Sequence, residues 1–494
     1  MHIQPQTFSE FQQQALHGNV IPVAESILAD LLTPVSAYLR LCKNSEDSFL
    51  LESVDGGENV ARYSFLGHNP REWIKTDGRT VTVRTAENEQ QFDTDIFSFL
   101  KSMLTKYKFV SRDDLPRFSG GLVGFFGYDT VRLIEDLPQS NPVDTKEIIA
   151  SFGLYDTVLA FDHLRQQIII IANAIIPEGG DLQLAYKDAL QRIQETRETL
   201  RQPAAIESRT VRQHTNVHAN FKKENFYQAV KTAIEYIRAG DIFQVVLSQQ
   251  FSRAVAADPF DIYRALRLIN PSPYLFYLQN QAQAIIGASP EMLVRVEDRE
   301  VTVRPIAGTR PRGKSIEEDL RLEKELLADE KERAEHVMLM DLGRNDVGRV
   351  AEYGGVIVTE NMVIERYSHV MHIVSEVRGK LRPEFDAIDA FKACFPAGTL
   401  SGAPKVRAME IIEELEPNRR GVYGGALGYI DFSGNMDTCI TIRTLEVRAG
   451  MAYFQAGAGI VADSVPESEF AETVHKSNAV RSAIALAEAG LDNL

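Results

Sequence analysis

The sequence predicts an α+β protein: large, mostly antiparallel β-sheets in a sandwich-like core, flanked by helices, with the two halves of the chain closely interleaved. Three observations lead there. Short alternating runs close on turns, as Ser48-Phe-Leu-Leu-Glu-Ser53 does on Asp55-Gly-Gly57. Residues 151–162 and 167–172 read as an antiparallel pair. Gly120-Gly-Leu-Val-Gly-Phe-Phe-Gly-Tyr-Asp129 is rich in glycine and aromatics, which suits a buried strand where backbones approach closely.

In order, residues 8–18 read as a short helix and Val20-Ile-Pro-Val-Ala-Glu25 as an edge. Thr33-Pro-Val-Ser-Ala-Tyr-Leu-Arg-Leu41 alternates as a strand. Arg62-Tyr-Ser-Phe-Leu-Gly67 and residues 71–84 continue a sheet, 94–106 form a helix, and a long helix over 180–201 ends this half. The polar stretch 203–219 reads as a linker between a region 1–202 and a region 220–494. Asn220 is a plausible N-cap for a helix carrying Phe226, Val230, Ile234 and Ile237 up to Gly240. A strand follows over 241–251 and a helix over 258–269. Strands fall at 274–280, 283–287 and 292–304, and later near 354–360, 369–378, 424–432, 438–447 and 451–460. Helices fall at 316–342, 384–393, 404–415 and 467–489. No internal repeat or low-complexity segment is present.

The 494 residues suit two or three domains, and 44% hydrophobic with 25% charged residues is ordinary for a globular enzyme. The net charge of −16 argues against nucleic acid or an anionic membrane as the main partner. Cys42, Cys394 and Cys439 are too scattered for a disulfide framework or a metal motif, so reduced thiols in a cytoplasm are expected. The opening residues lack a basic segment followed by an apolar core, and no apolar run approaches ~20 residues. Neither a secretory signal nor a membrane-spanning helix is expected.

Chemistry concentrates in the acidic helix beginning near Asp329. Glu332 and Glu335 lie three apart, so they share one face, while Val337, Leu339 and Met340 can turn inward. A second helix, entering after Pro466, repeats the spacing with Glu469 and Glu472, and Lys476 follows four later. Each pair alone reads most simply as a solvated acidic face. Together, two helices can pinch one hard cation such as Mg²⁺, which prefers oxygen ligands and is readily shared with an anionic substrate. Small-residue loops at Pro305-Ile-Ala-Gly-Thr-Arg-Pro-Arg-Gly313, Phe395-Pro-Ala-Gly-Thr-Leu-Ser-Gly-Ala-Pro-Lys405 and Ala456-Gly-Ala-Gly459 offer backbone N–H groups to an anion, or are merely tight turns. A phosphate-binding loop, a nucleophile elbow and a His-Glu-x-x-His helix are absent from the sequence.

Taken in order, Pro305-Ile-Ala-Gly-Thr309, Lys331-Glu-Arg-Ala-Glu-His336, Asp341-Leu-Gly-Arg-Asn-Asp346, Pro396-Ala-Gly-Thr-Leu-Ser-Gly-Ala-Pro-Lys405 and Gly457-Ala-Gly459 resemble the chorismate-utilising enzymes. Within them, the match is to the large components of anthranilate synthases, over nearly the whole chain. That resemblance implies a Mg²⁺-dependent conversion of chorismate and ammonia to anthranilate and pyruvate. It implies Glu335 and Glu472 as metal ligands, with Glu332 and Glu469 beside them. Tyr423 and Arg443 would hold the enolpyruvyl carboxylate. Gly457, Ala458 and Gly459 would supply backbone contacts, and Gly308, Thr309, Thr399 and Lys476 would line the pocket. Glu291 corresponds to the general acid for the departing hydroxyl, and His372 to the residue tied to pyruvate elimination. Gln244 stands where water-adding relatives carry a lysine base.

Ala307 argues against the nearest rival, an aminodeoxychorismate synthase large component, which usually has lysine there. A catalytically dead tryptophan sensor is the rival from another class, and the intact set Glu291, Glu335, His372, Arg443 and Glu472 argues against it. The resemblance also implies feedback by tryptophan, bound by the N-terminal region through Glu52, Ser53, Asn270, Pro273, Tyr274 and Leu275. The sequence carries no glutaminase signature. A separate glutaminase subunit is therefore implied, in a heterotetramer of two large and two small chains.

Overall fold

A computed structural model describes residues 3–43, 45–53, 62–141, 148–203, 215–281, 283–367 and 370–491. Two twelve-stranded sheets organise it, and each is assembled from both halves of the chain. In the first, five strands from Val20–Leu28 to Gln167–Ile175 meet the C-terminal strands at one seam. There Asp47–Glu52 pairs antiparallel with Tyr274–Asn280, Glu52 opposite Leu275. In the second, Gly121–Phe126 pairs antiparallel with Ala426–Asp431, Gly124 opposite Gly428. A Cβ on Gly124 would lie 2.0 Å from the Ser151 carbonyl oxygen, and one on Gly428 2.0 Å from that of Asp437. The glycines let the two seam strands lie close against their outer neighbours, Ala150–Tyr155 and Met436–Ile440.

Aromatic side chains fill the space between the sheets, Phe49, Phe65 and Phe276 from one and Trp73, Phe125 and Tyr429 from the other, with Phe118 beside them. Helices Leu182–Leu200, Pro259–Ile269 and Pro466–Ala489 bury their apolar faces on the outside of the first sheet. Ile96–Leu104 and Ala387–Cys394 do so on the second. The result is a sandwich with helices on its outer faces and the two halves interleaved.

Five local expectations change. Residues Pro34–Leu41 form a helix: Thr33 caps it in a reciprocal capping box with Ser36, Pro34 opens it, and Ala37 and Tyr38 turn inward at helical spacing. The run 151–162 is two strands, Ala150–Tyr155 and Thr157–Asp162, which part at Asp156 into different sheets. The run 438–447 likewise divides into Met436–Ile440 and Thr444–Arg448. Asp329 ends one helix, Ile316–Ala328, and caps the next, Glu330–Gly348, through its side chain. Lys222 takes the N-cap position expected of Asn220, whose side chain instead accepts from the Gln250 amide.

Residues 204–214 of the expected linker lie outside the described residues. Its last two described positions, His218–Ala219, pair with the strand Gln244–Ala254.

Candidate active site

A cavity of about 650 Å³ opens between the C-terminal strands of both sheets and the two acidic helices. Its floor is the pair Gln244–Ala254 and Met451–Ile460. Alternation puts Gln244, Val246, Gly457 and Gly459 on the cavity side, while Val245, Leu247 and Ala458 pack beneath against helices. The Ala458 side chain thus faces the core, and its flanking glycines line the cavity. A Cβ on Gly459 would lie 2.5 Å from Gln244 Nε2, and one on Gly457 2.7 Å from the Tyr423 hydroxyl. Bare backbone at these points is what makes room for a ligand.

The helix Glu330–Gly348 buries His336, Leu339, Gly343 and Val347, with Val337 left exposed, so the inward stripe is rotated from the expected one. That rotation turns Glu332 and Glu335 to the cavity, where Glu469 and Glu472 of the helix Pro466–Ala489 meet them. Arg310 holds Glu332 at 3.0 Å, and Lys476 holds Glu472 at 2.6 Å. The Glu335 carboxyl is pushed up by burial first, then by Glu332 and also by Glu472, while Gln244 and Lys476 act the other way. Among the described residues, no three acidic, histidine or cysteine groups are yet drawn to metal-holding distance. The donor set still fits a hard cation: all-oxygen, crowded with like charge, and holding in Glu335 a carboxylate without an ion-pair partner among the described residues.

Glu291 sits at the end of the strand Gln283–Ser289, 8% exposed, and Thr399 donates to its Oε1 at 3.1 Å. Burial pushes its carboxyl up to about 8, against which the threonine bond acts in the opposite direction. The group is therefore a neutral acid at pH 7, able to donate a proton.

His372 lies opposite Thr309 across two paired strands. Its Nδ1 is 2.9 Å from the Gly308 carbonyl and 3.1 Å from the Thr309 hydroxyl. The carbonyl can only accept, so the proton sits on Nδ1 and Nε2 keeps its lone pair. Burial, the largest influence, lowers the imidazole's value and keeps it neutral. Gly308, at φ 68°, forms the bulge that brings this carbonyl round, and its own Cβ position lies 3.3 Å from Glu332 Oε2.

Arg443 occupies the crossing between sheets at φ 51°, a left-handed conformation that a non-glycine residue adopts at a cost. Its guanidinium donates to the Lys476 carbonyl at 2.7 Å, and no carboxylate bridges to it among the described residues. Lys476 Nζ in turn donates to the Gly457 carbonyl at 3.0 Å. Half-buried in the cavity wall beside Tyr423, Arg443 is a ready anion partner.

One cavity therefore gathers Gln244, Glu291, Gly308, Thr309, His372, Thr399, Tyr423, Arg443, Gly457, Gly459 and Lys476 with the four glutamates Glu332, Glu335, Glu469 and Glu472. Gln455 and Ser464 line it too and were not anticipated. Gln455 had a legible signal, since it shares the strand parity of Gly457 and Gly459.

A second cavity, about 60 Å³, opens between the sheets and is lined by Ser53, Pro273 and Tyr274. Ser53 Oγ is buried without a hydrogen-bond partner among the described residues. Glu52 lines it only in part. Its carboxylate turns to the opposite face, where Tyr263 at 2.5 Å and Arg267 at 2.9 Å already hold it. The Leu275 side chain packs on that same outer face, and Asn270 lies outside the cavity and turns to the Ala288 carbonyl at 3.4 Å. Arg117, Arg295, Tyr429 and Asp437 complete the walls. Arg295 and the Tyr274 hydroxyl each lie 3.0 Å or less from the Asp437 carboxylate. Nothing local in the sequence marks these four, because Arg117, Arg295 and the paired Tyr429 and Asp437 come from segments far apart in the chain.

A family model described as chorismate binding enzyme matches residues 60–482. The anthranilate synthase component 1 of Acetivibrio thermocellus is 49% identical over 97% of this chain and 98% of its own. The crystal structure of anthranilate synthase component I from Streptococcus pneumoniae TIGR4 superposes with a TM-score of 0.75 at 40% identity, covering 92% of this chain and 99% of that one. The menaquinone-specific isochorismate synthase from Escherichia coli shares the fold, with a TM-score of 0.70 at 17% identity over 96% and 98% of the two chains.

Proposed function

The chain belongs to the chorismate-binding enzyme family, and from that premise we propose that it is the large component of an anthranilate synthase, acting in tryptophan biosynthesis. It would convert chorismate and ammonia to anthranilate, pyruvate and water. The observation that carries the reading is Glu291: a buried carboxyl, raised by that burial to about 8, in a cavity that also holds His372 and the half-buried Arg443, to which no carboxylate bridges among the described residues.

Glu291 gives its proton to the departing hydroxyl, which leaves as water while ammonia bonds to the ring two carbons away. Tyr423 and Arg443 grip the enolpyruvyl carboxylate. Nε2 of His372 then takes the ring proton at the aminated carbon. The enolpyruvyl C–O bond breaks, the ring becomes aromatic, and the released enol takes up a proton to become pyruvate. Gln244 carries no basic group, as suits a nucleophile that needs no activation. The N–H of Gly457 and that of Gly459, with Gly308, Thr309 and Thr399, form the remaining contacts.

Glu335 and Glu472 would hold Mg²⁺, with Glu332 and Glu469 close enough to hold its waters. Bound there, the ion would neutralise the ring carboxylate and the crowded glutamates together.

The cavity at Ser53, Pro273 and Tyr274 supports feedback by tryptophan, with the Ser53 hydroxyl meeting the amino acid's polar end. On this reading residues 1–202 are regulatory and 220–494 catalytic, although strands of both build each sheet. A glutaminase subunit would supply ammonia from glutamine, in a heterotetramer of two chains of each kind, in the cytoplasm. No helix among the described residues is long and apolar enough to cross a membrane.

The test is product fluorescence from the purified chain with chorismate, an ammonium salt and Mg²⁺. Anthranilate that disappears with EDTA or tryptophan is expected. A 4-amino product, or isochorismate, would overturn the reading.

A further inference from the structure

Directly behind the cavity lies an ion pair that the reaction does not use. Glu416 and Arg420 are 4% and 3% exposed, bridged at 2.6 Å and 2.9 Å. A pair so buried loses its hydration on both sides and contributes little to stability by itself, since apolar residues of similar volume often serve as well. What distinguishes it is where its remaining hydrogen bonds go. Arg420 donates to the Leu400 carbonyl at 2.6 Å and to the Val246 carbonyl at 2.7 Å. Both residues line the cavity, Leu400 directly after Thr399. The same guanidinium lies 5.7 Å from the ring centre of Tyr423 and 4.6 Å from that of Tyr128, which comes from the other half of the chain.

Glu416 works on the floor. Its Oε1 accepts from the Ser248 amide at 2.8 Å and from the Ser248 hydroxyl at 2.7 Å. With its proton committed to the carboxylate, that hydroxyl can only accept from Gln455 Nε2, at 2.7 Å. The Gln455 amide is thereby fixed in one orientation, and its Oε1 is left buried with no partner among the described residues.

We propose that Arg420 and Glu416 are positioning residues for the substrate, holding Tyr423, the Thr399–Leu400 turn and the Gln455 amide in the arrangement that binds chorismate. The inference rests on the assignment of chorismate as ligand. It predicts that the pair sets substrate affinity more than the chemical step, because it lies against Tyr423 and holds the cavity floor directly, and reaches the acid Glu291 only indirectly, through the turn that carries Thr399.

The test replaces the pair together with apolar residues, R420M/E416M, beside the conservative R420K and the probe Y423F. Chorismate binding is measured by calorimetry with Mg²⁺ and without ammonium, and KM and kcat with both. The double variant should unfold at a temperature close to wild type, yet bind chorismate at least tenfold more weakly, with KM raised more than kcat is lowered. R420K should recover part of the affinity. Adding Y423F to the double variant should cost less than it does in wild type, since the pair acts through that tyrosine. Wild-type affinity in a folded double variant would overturn the proposal, and so would full additivity with Y423F. If R420M/E416M does not fold, R420K and its cycle with Y423F decide by the same criteria. Wild-type protein that binds chorismate but yields no anthranilate would sink the assigned reaction and leave this binding test standing. Wild-type protein that binds no chorismate would sink both.

Discussion

The hydroxyl of Thr399 lies 3.1 Å from Glu291 Oε1 and acts against the burial that raises this carboxyl to about 8. The two come from distant segments, and their contact tempers the rise that burial imposes on the proposed general acid. Activity that needs protonated Glu291 should hold at neutral pH and fall as pH rises through about 8. T399V removes a bond that favours the carboxylate, so its alkaline limb should move to higher pH in a kcat profile. A profile unchanged in T399V would contradict the contact's role.

Glu291 also links pH to folding. Its folded value exceeds the ordinary 4.5, so the stability it contributes is present below that ordinary value and lost as pH rises through about 8. An amide has no charge to bury. Melting curves at pH 9 should find E291Q at least as stable as wild type, with kcat lowered about 10²–10⁴-fold.

His372 should be separable from Glu291 by product. With Nδ1 committed to the Gly308 carbonyl, Nε2 alone is left to take up a proton. H372A should slow the second half of the reaction about 10²-fold or more. Chromatography should then find an aminated product that keeps its enolpyruvyl group. Anthranilate formed at the wild-type rate would remove His372 from the mechanism.

Mg²⁺ should raise the melting temperature of the wild-type chain even without substrate. Binding to the folded state alone adds about 2.7 kcal/mol at a hundredfold excess over Kd. E335Q should lose most of that shift and most of its activity. A full Mg²⁺-dependent shift in E335Q would move the metal elsewhere.

S53A should lose much of its inhibition by tryptophan while keeping chorismate turnover within about twofold, since the buried Ser53 hydroxyl lies in the second cavity, away from Glu291. Unchanged inhibition curves would separate that cavity from feedback.

Much of this was legible because it is local. Spacing of three in Glu332 and Glu335, and again in Glu469 and Glu472, fixes which side chains share a helix face. Glycines at 457 and 459 announce a close approach whatever surrounds them. Capping chemistry was equally local at Thr33 and Ser36, yet alternation in the same stretch masked it, because apolar residues at 34, 37 and 38 satisfy a helix as well.

The sequence by itself determined which elements are amphipathic, which residues carry acid, base and cation chemistry, and the family. Tertiary structure alone decided where strands change sheets, at Asp156 and at Arg443, since a period of two persists through a change of partner. It also decided charge state. Glu291 is an acid only because folding removes water from it, and Arg443 stands without a carboxylate partner among the described residues because its guanidinium is turned to the Lys476 carbonyl.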